Sequence, residues 1–218
     1  MLVRDWMLKD VTTVTEDVSM LKAGRIMQQL GVRRLPVVDG EGRLSGIVTE
    51  RDIKAASPSK ATSLDIYEMT RLLSEIKARD IMTRKPMRIA PGDTVERAAA
   101  IMRDNKIGGL PVVDTDDKVV GIITDTDIFR LFALISGVDS GGVQMGTSLP
   151  VEKGHLKQLI DDIRGHDAKI VSILSYLVPA DETKRYVCIR LRAMTEAEEY
   201  RIRDHIRARH NLLYWVKD

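Results

Sequence analysis

Two short segments of the sequence carry the residues best suited to hold a ligand. The segment GIVTERD ends at Asp52, and the segment GIITDTD ends at Asp127. Each places a threonine, Thr49 or Thr124, three residues before the aspartate. This spacing is typical of a capping box, which satisfies the free amides of a helix N-terminus. It also suits ligand binding, because phosphate favours a helix N-terminus and an acidic side chain there can accept from ribose hydroxyls. Both interpretations stay open at this point.

Small and apolar residues flank the two segments in the same way. Gly46 and Gly121 lack a Cβ, so a ligand could lie close to the strand that leads into each segment. A neighbouring strand begins with a Leu-Pro pair, which could form an apolar wall against a base. The two pairs are Leu35 with Pro36 and Leu110 with Pro111.

An internal duplication explains this recurrence. Shifting the chain by 75 residues aligns Arg4–Ile53 with Arg79–Ile128 without a gap, and 16 of 50 positions are identical. The hydrophobic pattern of each copy predicts the order β-α-β-β-α, with Gly31 ending the first long helix. We expect repeat 1 over 1–60, a connector helix over 61–78 and repeat 2 over 79–135.

The remainder of the chain has a different pattern. Residues 136–142 (SGVDSGG) are expected to form a linker, and 143–218 predict two helices and four strands in the order βαββαβ. This is the ferredoxin-like arrangement, in which helices cover one face of an antiparallel sheet. A six-residue polar turn, PADETK, is expected between the second and third strands. The whole chain is therefore expected to be α/β (α+β).

The duplicated motifs resemble tandem CBS domains, the Bateman module. The resemblance is carried by the segments around Arg4–Met7 and Arg79–Met82, the LPVVD strand and the motif G-I-[VI]-T-x-x-D. It implies binding of AMP, ADP, ATP or S-adenosylmethionine as a regulatory ligand, with aspartate on the ribose and threonine near phosphate. The predicted site 1 comprises Arg33, Arg34, Leu35, Pro36, Gly46, Thr49, Arg51 and Asp52. The predicted site 2 comprises Gly109, Leu110, Pro111, Gly121, Thr124 and Asp127.

The C-terminal segment resembles an ACT domain, a module that often senses amino acids. The resemblance rests on Gly154 and Leu156 at the turn into the first helix, where the family has G-x-L. Pro150 is not adjacent to Gly154, which departs from the family pattern. The order of the three modules resembles AcuB-type acetoin-utilisation proteins over the whole chain. These resemblances imply a homodimer and a possible regulated protein partner.

The two predicted sites differ in charge. Site 1 has Arg33, Arg34 and Arg51 where the second copy has Gly108, Gly109 and Thr126. If each site is built mainly from its own repeat, arginine should make site 1 favour di- or triphosphates. Site 2 should then prefer AMP or S-adenosylmethionine, or remain empty.

Bulk composition disfavours several other classes of protein. Basic and acidic residues nearly cancel, to a net charge of +2, and aromatic residues make up only 4%. Neither value favours binding to nucleic acid or to an anionic membrane. The single cysteine, Cys188, suits a reducing cytoplasm. No metal-ligand cluster and no nucleophile with an adjacent base is recognisable, so we expect no catalytic cofactor and no enzyme activity.

Two further functions remain possible from the residues alone. A structural scaffold with vestigial ligand sites would keep the same motifs for helix capping. A nucleic-acid-binding regulator could use the arginines of the last predicted helix, but acidic residues are interleaved with them and favour a solvated, ion-paired face. These arginines are Arg201, Arg203, Arg207 and Arg209.

Overall fold

The structure, a computed structural model, describes residues 1–57, 71 and 74–217. The chain divides into two compact units, Met1–Ile128 and Phe129–Asp218. Most of the predicted connector, 61–78, lies outside the described residues.

Repeat 1 follows the predicted order of elements, preceded by one short helix. Its elements are α1 (Val3–Trp6), β1 (Val14–Thr15), α2 (Met20–Leu30), β2 (Arg34–Val38), β3 (Leu44–Thr49) and α3 (Glu50–Ala56). The helix α2 ends at Gly31, whose left-handed backbone (φ 64°) lets its amide bond back to Gln28 and Met27. The prediction that this glycine terminates the helix is confirmed.

Repeat 2 has closely similar elements. They are α4 (Ala78–Ile81), β4 (Thr83–Arg84), α5 (Val95–Asn105), β5 (Gly109–Val113), β6 (Val119–Thr124) and α6 (Asp125–Ser136). In place of β1 it has a single parallel bridge from Ile89 to Val112. This bridge lies 75 residues beyond the pairing of Val14 with Val37 in repeat 1.

The two repeats exchange their N-terminal segments. The strand β4 belongs to repeat 2 by sequence but pairs with β3 of repeat 1, where Ile47 faces Thr83. In return, Leu8 of repeat 1 bridges Ile122 of repeat 2 through two backbone hydrogen bonds of 2.9 and 3.1 Å. The segment that contains β4 is therefore held against repeat 1, and the segment around Leu8 is held against repeat 2.

Apolar side chains at helical spacing hold the sheet of repeat 1 in place. Ala23 and Met27 of α2 pack onto Leu35, Val37 and Val48 of the sheet, and all five side chains are buried. Burial of such side chains is the main favourable contribution to folding. This packing holds in place the end of β3, where the Thr49–Asp52 segment begins.

The second unit contains the predicted βαββαβ order. Its elements are β7 (Val143–Pro150), α7 (His155–Arg164), β8 (Ile170–Val178), β9 (Asp181–Leu191), α8 (Glu196–Arg209) and β10 (Asn211–Lys217). The strands form one antiparallel sheet in the order β10-β7-β9-β8, which is the ferredoxin-like topology. The expected six-residue turn is wrong in length, because Val178 already pairs with Asp181 across a tight hairpin.

Candidate functional site

Thr49 and Asp52 form the capping box that the sequence predicted. The Oδ2 atom of Asp52 accepts from the backbone amide and the hydroxyl of Thr49, each at 2.7 Å. The amide of Asp52 donates back to the Thr49 hydroxyl at 3.3 Å. The other carboxylate oxygen, Oδ1, has no hydrogen-bond partner among the described residues. The cap thus occupies one oxygen of Asp52 and leaves the second available to a ligand.

Thr124 and Asp127 repeat this geometry in the second copy. Asp127 Oδ2 accepts from the Thr124 amide at 2.9 Å and from its hydroxyl at 2.6 Å. Both copies are therefore capped, and capping alone would be enough to explain why the motif recurs. The surroundings of each motif must distinguish a cap from a binding site.

The sequence predicted that Gly46 and Gly121 would let a ligand lie close to the strand. This prediction is wrong, because a methionine side chain occupies the space beside each glycine. A Cβ at Gly46 would overlap the Sδ atom of Met82, and a Cβ at Gly121 would lie 2.6 Å from the Sδ atom of Met7. Each methionine comes from the exchanged N-terminal segment of the other repeat. The glycines are needed because a methionine side chain packs flat against the strand there.

A cleft of about 690 Å³ opens beside the Thr49–Asp52 segment, within the usual size range of ligand pockets. Both repeats line it, and we name it the shared cleft. Repeat 1 contributes residues 33–34, 47 and 49–52. Repeat 2 contributes residues 83, 85–87, 105–109, 111 and 125. The expectation that each site is built mainly from its own repeat is wrong for this cleft, because repeat 2 supplies most of its lining.

The predicted site residues distribute between the shared cleft and the core. From site 1, the cleft is lined by Arg33, Arg34, Thr49, Arg51 and Asp52, and from site 2 by Gly109 and Pro111. Leu35 and Leu110 are almost fully buried in the core and cannot form the expected apolar wall. Pro36, Gly46, Gly121, Thr124 and Asp127 do not line this cleft.

Arg34 crosses from repeat 1 to repeat 2. Its guanidinium donates to the carbonyl oxygen of Gly108 and lies against Gly109, which has no Cβ to obstruct it. Burial lowers the pKa of Arg34, and the carboxylate of Asp125 partly offsets this effect. Arg34 therefore connects the two repeats at the edge of the cleft and is already engaged by the protein.

Sequence reasoning missed two lysines that line the shared cleft, Lys85 and Lys106. Both adopt a left-handed backbone, with φ of 47° and 53°. The 75-residue shift offered a signal for Lys106, because it aligns with the helix-ending Gly31. A lysine at a position that favours glycine is unusual and points to a role for the side chain.

The predicted turn residues of the second unit have structural roles. Gly154 precedes α7 with φ of 101°, a conformation that strongly favours glycine. Leu156 is partly buried against the core of this unit. Elsewhere, the described residues contain no cluster of three or more His, Cys, Asp or Glu side chains able to hold a metal ion. No helix among them is both long and apolar enough to span a membrane.

Comparison with known proteins places these features in a family. A family model described as CBS domain matches residues 3–59 and 78–134. A CBS domain-containing protein of Dictyostelium discoideum is 33% identical over 130 residues, covering 60% of this chain and 90% of that protein. A homoserine O-acetyltransferase of Methanohalobium evestigatum is also 33% identical, over 59% of this chain but only 24% of the enzyme. In that enzyme the matched region is a minor part of the whole.

Solved structures give the same result. The CBS domain pair of protein MJ0100, in complex with 5′-methylthioadenosine and S-adenosyl-L-methionine, is 32% identical with a TM-score of 0.52, over 61% of this chain and 96% of its own. A Vibrio cholerae structure described as an acetoin utilization protein (AcuB) is 30% identical with a TM-score of 0.52, over 64% and 95%. The protein CBSX2 in complex with AMP is 29% identical with a TM-score of 0.50, over 60% and 95%. Because the family matches cover just over half of its residues, the chain belongs to the CBS-domain proteins.

Proposed function

We propose that this protein is a non-enzymatic regulator that binds an adenosine-containing ligand in the shared cleft. The observation that carries the proposal is the available Oδ1 atom of Asp52, at the side of a cleft lined by five cationic side chains. Asp52 Oδ1 accepts a hydrogen bond from the ribose, and the cations attract the phosphates. Pro111 and Ile107 offer apolar contact to the base.

The ligands of the similar structures support this class of ligand. One relative was solved with 5′-methylthioadenosine and S-adenosyl-L-methionine, and another with AMP. All three compounds contain an adenosine group, whereas their substituents at the 5′ position differ in charge. The adenosine part is therefore the feature we transfer to this chain, and the charge of the substituent is argued separately below.

We propose the following organisation for the whole chain. CBS repeats occupy 1–60 and 79–135 with a connector at 61–78, and a linker at 136–142 leads to an ACT-like domain at 143–218. The βαββαβ order and the left-handed Gly154 support the ACT-like assignment. Ligand binding favours one arrangement of the repeats and is relayed to this domain or to a protein partner, by linkage. The cytoplasm and acetoin or acetate metabolism are the proposed setting.

We also propose a homodimer. Phe129 and Phe132, the two phenylalanines of the chain, are 70% and 60% exposed on α6. Large apolar side chains exposed side by side often mark an association surface. Multi-angle light scattering at micromolar concentration should give twice the monomer mass. A monomer under these conditions would contradict this part of the proposal.

Calorimetric titration tests the ligand proposal directly. ATP, ADP, AMP and S-adenosylmethionine are titrated into the wild-type protein and into Asp52→Ala. We expect at least one adenosine ligand to bind, and its affinity to fall by about 10- to 100-fold in the variant, as a lost hydrogen bond to a charged group predicts.

The chain provides a matched control for the loss of the cap. Thr195 and Glu198 form the same capping box in the second unit, with hydrogen bonds of 2.8 and 2.7 Å. Glu198→Ala removes a cap but should leave ligand affinity unchanged. If no adenosine ligand binds at millimolar concentration, the motifs serve only as caps and the scaffold function is the better account.

A further inference from the structure

The shared cleft has an excess of positive charge, and two lysines that the sequence did not place there contribute to it. Five cations line it, Arg33, Arg34, Arg51, Lys85 and Lys106. Three acids line it as well, Glu50, Asp52 and Asp125. Two of the cations, Lys85 and Lys106, come from repeat 2 although the cleft contains the aspartate of repeat 1.

The pseudo-symmetry of the repeats identifies the corresponding positions around Asp127. The backbone pairing follows the 75-residue shift here. Leu8 pairs with Ile122, and the residues 75 positions away, Thr83 and Ile47, pair with each other. Left-handed residues recur at the same places. Asp10 (φ 53°) corresponds to Lys85 (φ 47°), and Gly31 (φ 64°) corresponds to Lys106 (φ 53°).

The corresponding positions lack these positive charges, and one of them is acidic. Asp10, Gly31 and Thr126 stand where the shared cleft has Lys85, Lys106 and Arg51. The shift relates Arg33 and Arg34 to Gly108 and Gly109, and it relates Glu50 to Asp125. Both members of each pair belong to the cleft lining, so these residues appear in both sets. The corresponding set of residues, which includes Asp127, therefore has two cations and four acids, against five cations and three acids in the shared cleft.

The cations that distinguish the two sets are available to a ligand. Arg51, Lys85 and Lys106 form no side-chain hydrogen bond or ion pair with any described residue, whereas Arg34 already donates to Gly108. Many other surface cations are paired, such as Arg43 with Asp39 and Arg97 with Asp93. Unpaired cations gathered in one cleft create a positive potential that attracts polyanions.

We propose that the two sites accept adenosine ligands whose 5′ substituents differ in charge. The shared cleft selects nucleotides with two or three phosphates, and Arg51, Lys85 and Lys106 are the residues that determine this specificity. The site around Asp127 disfavours polyphosphates and takes an adenosine ligand that is neutral or cationic at its 5′ substituent, such as a sulfonium compound. This inference rests on the proposed function, because it assumes that the adenosine group binds near both aspartates.

The natural sequence of each repeat supplies the substitutions for the test. A triple variant, Arg51→Thr with Lys85→Asp and Lys106→Gly, gives the shared cleft the residues of the other site. We expect its affinity for ATP, measured by calorimetry, to fall by at least about 100-fold, since three charge-assisted contacts are lost. Its affinity for S-adenosylmethionine should stay within about twofold. Lys22→Ala, an exposed cation outside the cleft, should change neither affinity.

A competition experiment separates this inference from the proposed function. Wild-type protein saturated with S-adenosylmethionine should still bind one ATP per chain with little change in affinity. Full competition between the two ligands would overturn the inference while leaving the proposed function intact. Equal losses of ATP and adenosine affinity in the triple variant would overturn it as well. If no adenosine ligand binds the wild type, the proposed function fails and the inference fails with it.

Discussion

Arg34 and Gly109 hold the same position in the two repeats, but only one of them carries a side chain. The guanidinium of Arg34 fills the space beside Gly108 and Gly109, and a Cβ at Gly109 would leave no room for it. Two copies of one backbone have thus become an asymmetric pair at the place where they meet. The duplication thus sets the symmetry of the backbone, while side chains at the contact between copies determine the chemistry.

Restoring the symmetry with a second arginine should give the largest effect on stability. Gly109→Arg adds a side chain whose Cβ would lie 3.1 Å from the carbonyl oxygen of Ile123 and against Arg34. Overpacking, together with two facing guanidinium groups, should lower the free energy of unfolding by about 3 kcal/mol. Urea denaturation followed by circular dichroism measures this change.

The exchanged pair tests whether the two positions are equivalent. Adding Arg34→Gly to Gly109→Arg transfers the single arginine to the other repeat. We expect the double variant to recover to within about 1 kcal/mol of wild type, since positions in contact are not additive. A double variant as unstable as Gly109→Arg alone would show that the contact depends on more than the position of the arginine.

The sequence was sufficient to predict the features that depend on local pattern. The duplication, the helix end at Gly31, the Thr49–Asp52 cap and the βαββαβ order all follow from spacing within one segment. Propensity, capping and hydrophobic periodicity act over a few residues, so they can be recognised from one sequence.

The composition of the shared cleft could not be predicted because it depends on long-range pairing. The residue types near Thr83 do not indicate that β4 joins the sheet of repeat 1 instead of the sheet of repeat 2. Without that exchange, Lys85 has no reason to lie near Asp52, and Gly46 has no methionine to accommodate. The error about the glycines has the same origin, since their neighbours are far away in sequence.

The methionine contacts of the two repeats should differ in their tolerance of a methyl group. A Cβ at Gly121 would lie 2.9 Å from the backbone oxygen of Leu8, whereas at Gly46 the corresponding oxygen of Thr83 is 3.1 Å away. Flexible methionine side chains can yield, but backbone cannot do so cheaply. We expect Gly121→Ala to cost about 2 kcal/mol and Gly46→Ala about 1 kcal/mol in thermal unfolding.

Replacing Met82 or Met7 with alanine separates strain caused by the methionine side chain from strain caused by the backbone oxygen. Met82→Ala should relieve most of the strain of Gly46→Ala, because the methionine Sδ is the nearest atom there. Met7→Ala should relieve less of the strain of Gly121→Ala, because the oxygen of Leu8 remains. Equal rescue in both repeats would show that the two contacts are equivalent and that the difference in distance has no consequence.

The smallest effect should be a gain in stability, obtained by making repeat 2 more like repeat 1. Lys106 ends α5 in the left-handed conformation, where repeat 1 has Gly31 at the end of α2. Glycine adopts this conformation with less strain, so Lys106→Gly should raise the free energy of unfolding by about 1 kcal/mol. Gly31→Lys, the reverse exchange, should lower it by a similar amount.

If Lys106→Gly also weakens ATP binding while it stabilises the fold, the lysine is retained for the ligand at a cost in stability. A loss of stability in this variant would instead mean that the Lys106 side chain contributes packing that outweighs its backbone strain.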